Sequence, residues 1–478
     1  MPGGGIFDEG VQKVRPGTYI NTKSERPPDI KPGITGVALL PLINFPYGPD
    51  REFFTLDTKD LNGVFDKLGF DLNYENEYTA MLRECAKNAK EIILYNVRGG
   101  IKAKATAVAS EPVPADEGDS EGTETPASVP LSATARYGGT RGNDFAFAVE
   151  ANPDGGYDVT VYIANETVER FENLETIEEL IKAGSQFLVF EGSGPLTETA
   201  GTHLTGGEDR EVTNYDISKF LDAAEAVKWN TLAFPIDGSP IEGDKEASDT
   251  LLALMRMVAA KIIYLRDQVG YYRRGVMCNY AACHEAIYNV TIGVYEENGF
   301  HLLDTDMVAW LAGADSAASK TTSLTNLTMK GVDRPDREMT NKEIEQAIQN
   351  GEFLFTLNDD NETVVEYDIN SLTDFDRPRD TTYRKGRVIR TLDALRDRLR
   401  RELPPNKFDN EDRGWDLMEA IGRSVLLEFQ EDRALTNVEP EEDFLVDRTA
   451  SKDDYVYIDV WVQPVDSAEK IYIRLHTK

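Results

Sequence analysis

The sequence predicts an α/β core interrupted by a small antiparallel β-sandwich and followed by an α+β domain, with an extended arm at each end. Three observations carry this. Over residues 36–97 and 171–351, apolar runs of strand length alternate with segments of helical spacing, the pattern of a parallel sheet covered by helices. Residues 98–170 change to apolar–polar alternation broken by turn clusters, which is antiparallel patterning. Residues 1–35 and 465–478 each hold one strand's worth of β-formers and no helix.

In the N-terminal arm, 1–35, Pro16–Gly17 marks an edge or turn, and Val14, Tyr19, Ile20 and Asn21 share one strand-like run. The apolar residues there favour a partner surface over simple disorder. The core opens over 36–97 with a strand at Gly36–Leu42, helical spacing at Asp57–Gly69 and Asn76–Lys90, and a strand at Glu91–Tyr95. The inserted sandwich, 98–170, takes strands at Ala103–Ala109, Leu131–Tyr137, Phe145–Ala151 and Tyr157–Ala164. Its segment Ala109–Pro130 carries six acids, four prolines and no base, the composition of a solvated loop.

The core resumes over 171–351. Phe187–Phe190 reads as a buried strand, Asp216–Lys228 as an amphipathic helix, Thr231–Ile236 as a strand and Ser248–Gln268 as a long apolar helix. Strands at Val276–Tyr280 and Val290–Tyr295 follow, then a helix at Thr305–Ala314. Thr340 and Glu343 form a capping box for a helix that Gly351 closes. The α+β domain, 352–464, has strands at Glu352–Leu357 and Thr363–Ile369, helices at Thr391–Glu402 and Asp412–Glu428, and a strand at Tyr455–Gln463 that includes Tyr455, Tyr457 and Ile458. The C-terminal arm, 465–478, centres on Ile471, Tyr472 and Ile473 in the run Lys470–His476.

The chain has 478 residues with 51 basic and 85 acidic side chains, a net charge of −34. That excludes coating of nucleic acid or anionic lipid by charge alone. No run reaches the ~18 apolar residues of a membrane span, and the N-terminus lacks a signal-peptide pattern. Three cysteines fit a reducing compartment. Cys278, Cys283 and His284 lie close in sequence, but buried thiols explain them better than a metal site. Gly192–Ser193–Gly194 fails the phosphate-loop fingerprint, since Thr197 stands at the third glycine position. His203, in the loop Thr202–Gly207, has no orienting partner that the sequence identifies. No catalytic residue, cofactor site or metal site is therefore assigned.

One segment opposes the global charge. Arg384–Arg401 holds eight bases and two acids. On a helix from Thr391, Leu392, Leu395, Leu399 and Leu403 share one face. Arg390, Arg398 and Arg401 point away from it, and Arg396 and Arg400 flank it. In so acidic a chain, this predicts docking to an acidic partner surface, against the plain alternative of a solvated helix face.

Four segments stand out together: Val14–Asn21 in the first arm, Arg136–Asp144 in the sandwich, Leu204–Gly207 with the helix and strand leading to Pro235, and Gln463–Tyr472 at the close. In this order they resemble contractile phage tail sheath proteins. The resemblance implies a subtilisin-like, non-catalytic α/β core. It implies hexameric rings stacked as a helix around an inner tail tube protein, with baseplate and tail terminator proteins as further partners and neither nucleic acid nor membrane insertion. Contraction would drive the tube through a cell envelope. Assembly would take place in the host cytoplasm before the sheath joins a phage or phage-tail-like particle. By the same resemblance, Arg390, Arg396, Arg398, Arg400 and Arg401 are expected to face the tube. Val14, Tyr19, Ile20, Asn21, Tyr455, Tyr457, Ile458, Ile471, Tyr472 and Ile473 are expected in strands exchanged between subunits. A cytosolic hydrolase and a surface binding module are the competing readings.

Overall fold

In the computed structural model the chain divides into two units, one of residues 1–40, 79–93 and 221–478, the other of 41–78 and 94–220. The structure describes residues 3–5, 17–19, 36–43, 45–74, 76–97, 99–106, 129–375 and 379–477.

The first unit is built on parallel strands. β1 (Val37–Leu42) and β2 (Glu91–Asn96) begin in it, and β3 (Thr231–Asp237), β4 (Arg274–Cys278) and β5 (Ile287–Val290) complete the order β5-β4-β3-β1-β2. The ladders β4–β5, β3–β4 and β3–β1 are parallel. β1, β4 and β5 are buried at every residue, as parallel strands between helical layers must be. Helix α1 (Ala80–Ala86) is short. Helix α2 (Lys245–Tyr264) starts earlier than its apolar pattern because the Asp244 side chain caps it, accepting from Ala247 N at 2.9 Å. Helix α3 (Asp304–Ala317) is buried from Asp306 to Ser316. Helix α4 (Asn341–Gln349) opens on the expected capping box, Thr340 N donating to Glu343 at 2.7 Å and Glu343 N to Thr340 Oγ1 at 3.4 Å.

Further along, α5 (Gly386–Glu402), α6 (Asp412–Glu431) and the antiparallel hairpin β6 (Phe444–Val446) and β7 (Ile458–Val460) share one apolar cluster. Leu392, Leu395 and Leu399 of α5 enter it with Val425, Leu426, Phe429 and Phe444. The strand expected over Tyr455–Gln463 shortens to the three residues of β7, and Lys470–His476 joins no ladder among the described residues. Asp57–Gly69, expected helical, holds only a 3-10 turn at Leu61–Val64 and one α-turn at Phe65–Leu68, which Gly69 ends in the left-handed region at φ 68°.

The second unit holds the β-sandwich. One sheet runs Glu166–Leu174, Tyr157–Ile163, Phe145–Ala151, Thr199–His203; the other runs Leu188–Ser193, Val129–Ala135, Lys104–Thr106, all antiparallel. Phe145, Phe147, Val149, Val159 and Val161 from one sheet pack with Leu131, Ala133, Ala135, Leu188 and Phe190 from the other. Two expectations are corrected here. The sandwich does not end at residue 170 but continues to His203, and Phe187–Phe190 belongs to it rather than to the parallel core. A four-residue apolar run looks the same in either sheet, so pattern alone cannot assign it. Most of the acidic segment 109–130 lies outside the described residues.

The motif Arg136–Asp144 is a backbone crossing. A Cβ on Gly138 would fall 2.1 Å from Gly100 O, and one on Gly139, at φ 129°, would fall 2.0 Å from Pro46 O. Asn143 and Gly207 exchange hydrogen bonds at 2.8 and 2.9 Å, and Asp209 accepts from Thr140 N and Oγ1 at 3.0 and 2.9 Å. Gly207 belongs to the same crossing, since a Cβ there would fall 2.6 Å from Gly139 O, while Gly206 serves its left-handed φ of 78°.

Candidate functional site

Helix α5 carries the basic segment, and its first residue explains its depth. A Cβ on Gly386 would lie 2.2 Å from Asp368 Oδ1 and 2.4 Å from Tyr288 Oη. Only glycine lets the helix begin this close to a buried carboxylate. One turn on, Arg390 is 3% exposed. Its Nη1 donates to Asp315 Oδ1 at 2.8 Å and to Tyr288 Oη at 3.1 Å; its Nη2 donates to Thr322 O at 2.8 Å and pairs with Asp368. Arg274, leading β4, donates to the other Asp315 oxygen at 2.7 Å, and Thr231 Oγ1 does so at 2.6 Å. Asp393 links Arg274 at 3.2 Å, Arg266 at 2.7 Å and Arg396 at 3.4 Å, and Glu285 pairs with Arg266 and Arg379.

Burial alone would raise the Asp315 pKa; Arg274 and Arg390 outweigh it and hold the carboxyl at about 2. Burial, with Asp315 beside it, holds Tyr288 neutral far above the usual phenol range. This network is a fixture of the fold. It corrects the expectation that Arg390, pointing away from the apolar face, and Arg396, flanking it, face the tube: both are buried in internal ion pairs.

The remaining candidates reach further out. Arg400 is half-buried, with Nη1 donating to Gly270 O and the guanidinium 5.3 Å from the Tyr271 ring. Arg398 pairs with Glu428 at 3.1 Å and Glu402 at 3.4 Å. Arg401 is 46% exposed and pairs with Asp397 at 3.1 Å.

Among the arm residues, Val14, Ile20 and Asn21 lie outside the described residues. Tyr19 ends a strand, Gly17–Tyr19, that pairs in parallel with Gly3–Gly5 of its own chain. Tyr455 and Tyr457 are half-buried with rings 5.6 Å apart, and Ile458 opens β7 opposite Val446. Ile471, Tyr472 and Ile473 are 75%, 88% and 78% exposed.

Cys278, Cys283 and His284 turn to different partners. Cys283 Sγ meets Thr373 Oγ1 at 3.3 Å, while Cys278 Sγ falls beside Asp237 and Asp304. The Asn279 amide bridges those two carboxylates at 2.9 and 2.6 Å, and burial keeps the Cys278 thiol protonated. His284 is buried, its Nδ1 accepting from Ala286 N at 3.1 Å.

Burial pushes His284 down to about 4. An unfolded histidine titrates near 6.5, so between those values the unfolded chain binds the extra proton and acid weakens the fold, by roughly 3 kcal/mol at most. Asp306, raised by burial to about 6, acts in the opposite sense over an overlapping range. The prediction is therefore a difference. From pH 7 to 4, His284→Asn should gain stability relative to the native chain by up to about 3 kcal/mol in urea unfolding. A gap that stays constant with pH would contradict it.

Three domains of one family match the chain in order. Residues 120–209 match the phage tail sheath protein beta-sandwich domain, 210–371 the phage tail sheath protein central domain, and 379–478 the phage tail sheath C-terminal domain. The chain is 30% identical to the phage-like element PBSX protein XkdK of Bacillus subtilis, over 99% of each. It is similar to the solved sheath tail protein of Desulfitobacterium hafniense, with TM-score 0.77 and 32% identity over 97% of this chain and 100% of that one. The solved sheath tail protein of Listeria innocua gives TM-score 0.69 and 30% identity over 93% and 95%. With all three domains present and relatives aligned from end to end, the chain belongs to the phage tail sheath proteins, structural components of contractile tails in phages and prophage-like elements.

Proposed function

We propose that the chain polymerises as stacked hexameric rings around an inner tail tube, and that contraction of the stack drives the tube through a target envelope. The C-terminal segment carries this reading. Ile471, Ile473 and Leu475 alternate with Tyr472 and Arg474 and are all at least three-quarters exposed. Residues 471–477 make no hydrogen bond among the described residues. A strand-forming segment in that state gains ladder bonds only from another chain. The outer edge of β7, at Ile458–Val460, pairs with no strand among the described residues and can accept such a strand. A tail passed from each subunit to the next is a heterologous contact, which closes as a ring or continues as a helix. Baseplate and terminator proteins would cap the stack, after assembly in the host cytoplasm. The parallel core serves, in this reading, as a subtilisin-like frame without catalysis. Electron microscopy of the purified chain with inner tubes tests it. Sheathed tubes are expected; a chain that stays monomeric on tubes and reacts with a serine-hydrolase probe would favour the hydrolase reading.

The tube contact falls to Arg398 and Arg401, the outward bases of α5, with Arg400 beside them. Exposed ion pairs contribute about 0–1 kcal/mol each, which suits contacts that must break in sequence. Arg398→Glu with Arg401→Glu should leave folding intact and weaken tube sheathing roughly tenfold, and added salt should weaken the native contact. Unchanged sheathing and salt response would remove α5 from the tube surface.

A further inference from the structure

Between the hairpin and the free tail, the chain is fastened twice. The first fastening is backbone: Thr436 N donates to Gln463 O at 3.2 Å and Val465 N to Ala434 O at 2.8 Å. The second is a set of side-chain contacts centred on Glu469. The Glu469 side chain is only 8% exposed, between the exposed Ala468 and Lys470. Its Oε1 accepts from Ser323 Oγ and Thr325 Oγ1, each at 2.9 Å, and its Oε2 pairs with Lys385 Nζ. Lys385, the residue before α5, also reaches Asp466 at 3.3 Å and lies 4.7 Å over the Tyr367 ring. Arg387 Nη1 donates to Ser467 Oγ at 2.8 Å. Past Lys470, whose Nζ lies 5.8 Å from the Tyr367 centroid, these contacts stop.

We infer that Glu469, held by Ser323, Thr325 and Lys385, is the anchor that sets where the C-terminal strand leaves the body. The inference rests on the strand-exchange reading above and gives a positioning role to residues that never enter the strand. An exchanged strand must meet its acceptor edge in one register, because a slip of one residue turns its apolar face over. Fastening at Glu469 rather than Ser467 removes two residues from the tether, ~7 Å of contour. A shorter tether raises the effective concentration of strand at edge and narrows the registers it can sample.

The test uses the full chain with a nitroxide on Ala468→Cys in a Cys283→Ser background, since Cys85 and Cys278 are buried. Glu469→Ala should sharpen the label's spectrum in the monomer and raise the critical concentration for polymerisation severalfold. The reciprocal pair Lys385→Glu with Glu469→Lys should restore both towards native values, which a general loss of stability would not do. If Glu469→Ala matches the native chain in both readouts while a chain ended at Lys470 still fails to polymerise, the anchor is wrong and strand exchange stands. If the chain ended at Lys470 polymerises like the native one, strand exchange fails and the anchor with it.

Discussion

Asp315→Ala is expected to destabilise the first unit by about 3–5 kcal/mol, the scale for breaking a buried ion pair from one side. The substitution strips partners from Arg274 Nε, Arg390 Nη1, Thr231 Oγ1 and Tyr288 Oη at once. Two guanidinium groups would then share an apolar interior with too few carboxylates. Asp315→Asn keeps the shape and one acceptor oxygen but loses the charge and turns an NH2 donor towards the other donors, so its effect should be smaller but still clear. All four tryptophans, at positions 229, 310, 415 and 461, lie in this unit, so their fluorescence follows its unfolding in urea. The advantage of the native chain should hold above pH ~4 and shrink as the medium approaches pH 2, where Asp315 takes up its proton. A loss below about 1 kcal/mol would mean that the arginines find other partners, and that the network is not what ties α5 to β4.

Ending the chain at Lys470 is expected to abolish sheath formation outright while leaving the monomer folded. The removed residues make no hydrogen bond among the described residues, and the described apolar ones lie in solvent, so folding loses almost nothing. Polymerisation would lose one strand per subunit contact, which no other described segment replaces. Removing residues 1–22 should act the same way through the first arm. Sedimentation and electron microscopy read both outcomes: native-length sheaths from either truncated chain would rule out that arm as the link between subunits.

Much of this molecule is legible residue by residue. Thr340 and Glu343 announce α4, the alternation in Phe145–Ala151 and Tyr157–Ile163 announces a sandwich, and the wholly apolar β1 announces a sheet covered on both faces. The fate of Arg390 and Arg396 is not legible. Periodicity places Arg390 away from the leucines of α5 and Arg396 beside them, and an isolated amphipathic helix would leave both in water. Here both are buried, and the partners of Arg390, Asp315 and Asp368, lie 75 and 22 residues away in the chain. The available signal was indirect. Asp315 sits near the end of a helix otherwise filled with Met, Val, Ala, Trp and Leu, and Arg273–Arg274 leads an apolar strand; charged residues in such company need a buried partner. The exposed ends of the tail posed the reverse problem. Ile471, Ile473 and Leu475 have strand character but join no ladder among the described residues; under the proposed exchange, their partner strand belongs to another molecule.

A bare β-forming tail on every subunit carries a hazard, since two tails could zip to each other as readily as to a sheet edge. Its charges decide the matter. Residues 470–478 contain Lys470, Arg474 and Lys478 and no acid, on a chain whose total is −34. Tail against tail brings like charges into register, whereas tail against the acidic body of another subunit brings opposite charges together. Under the proposed strand exchange, the tail would sort its encounters before any ladder bond forms: idle tails would keep apart in a concentrated pool, and each would remain available for the body of an incoming subunit.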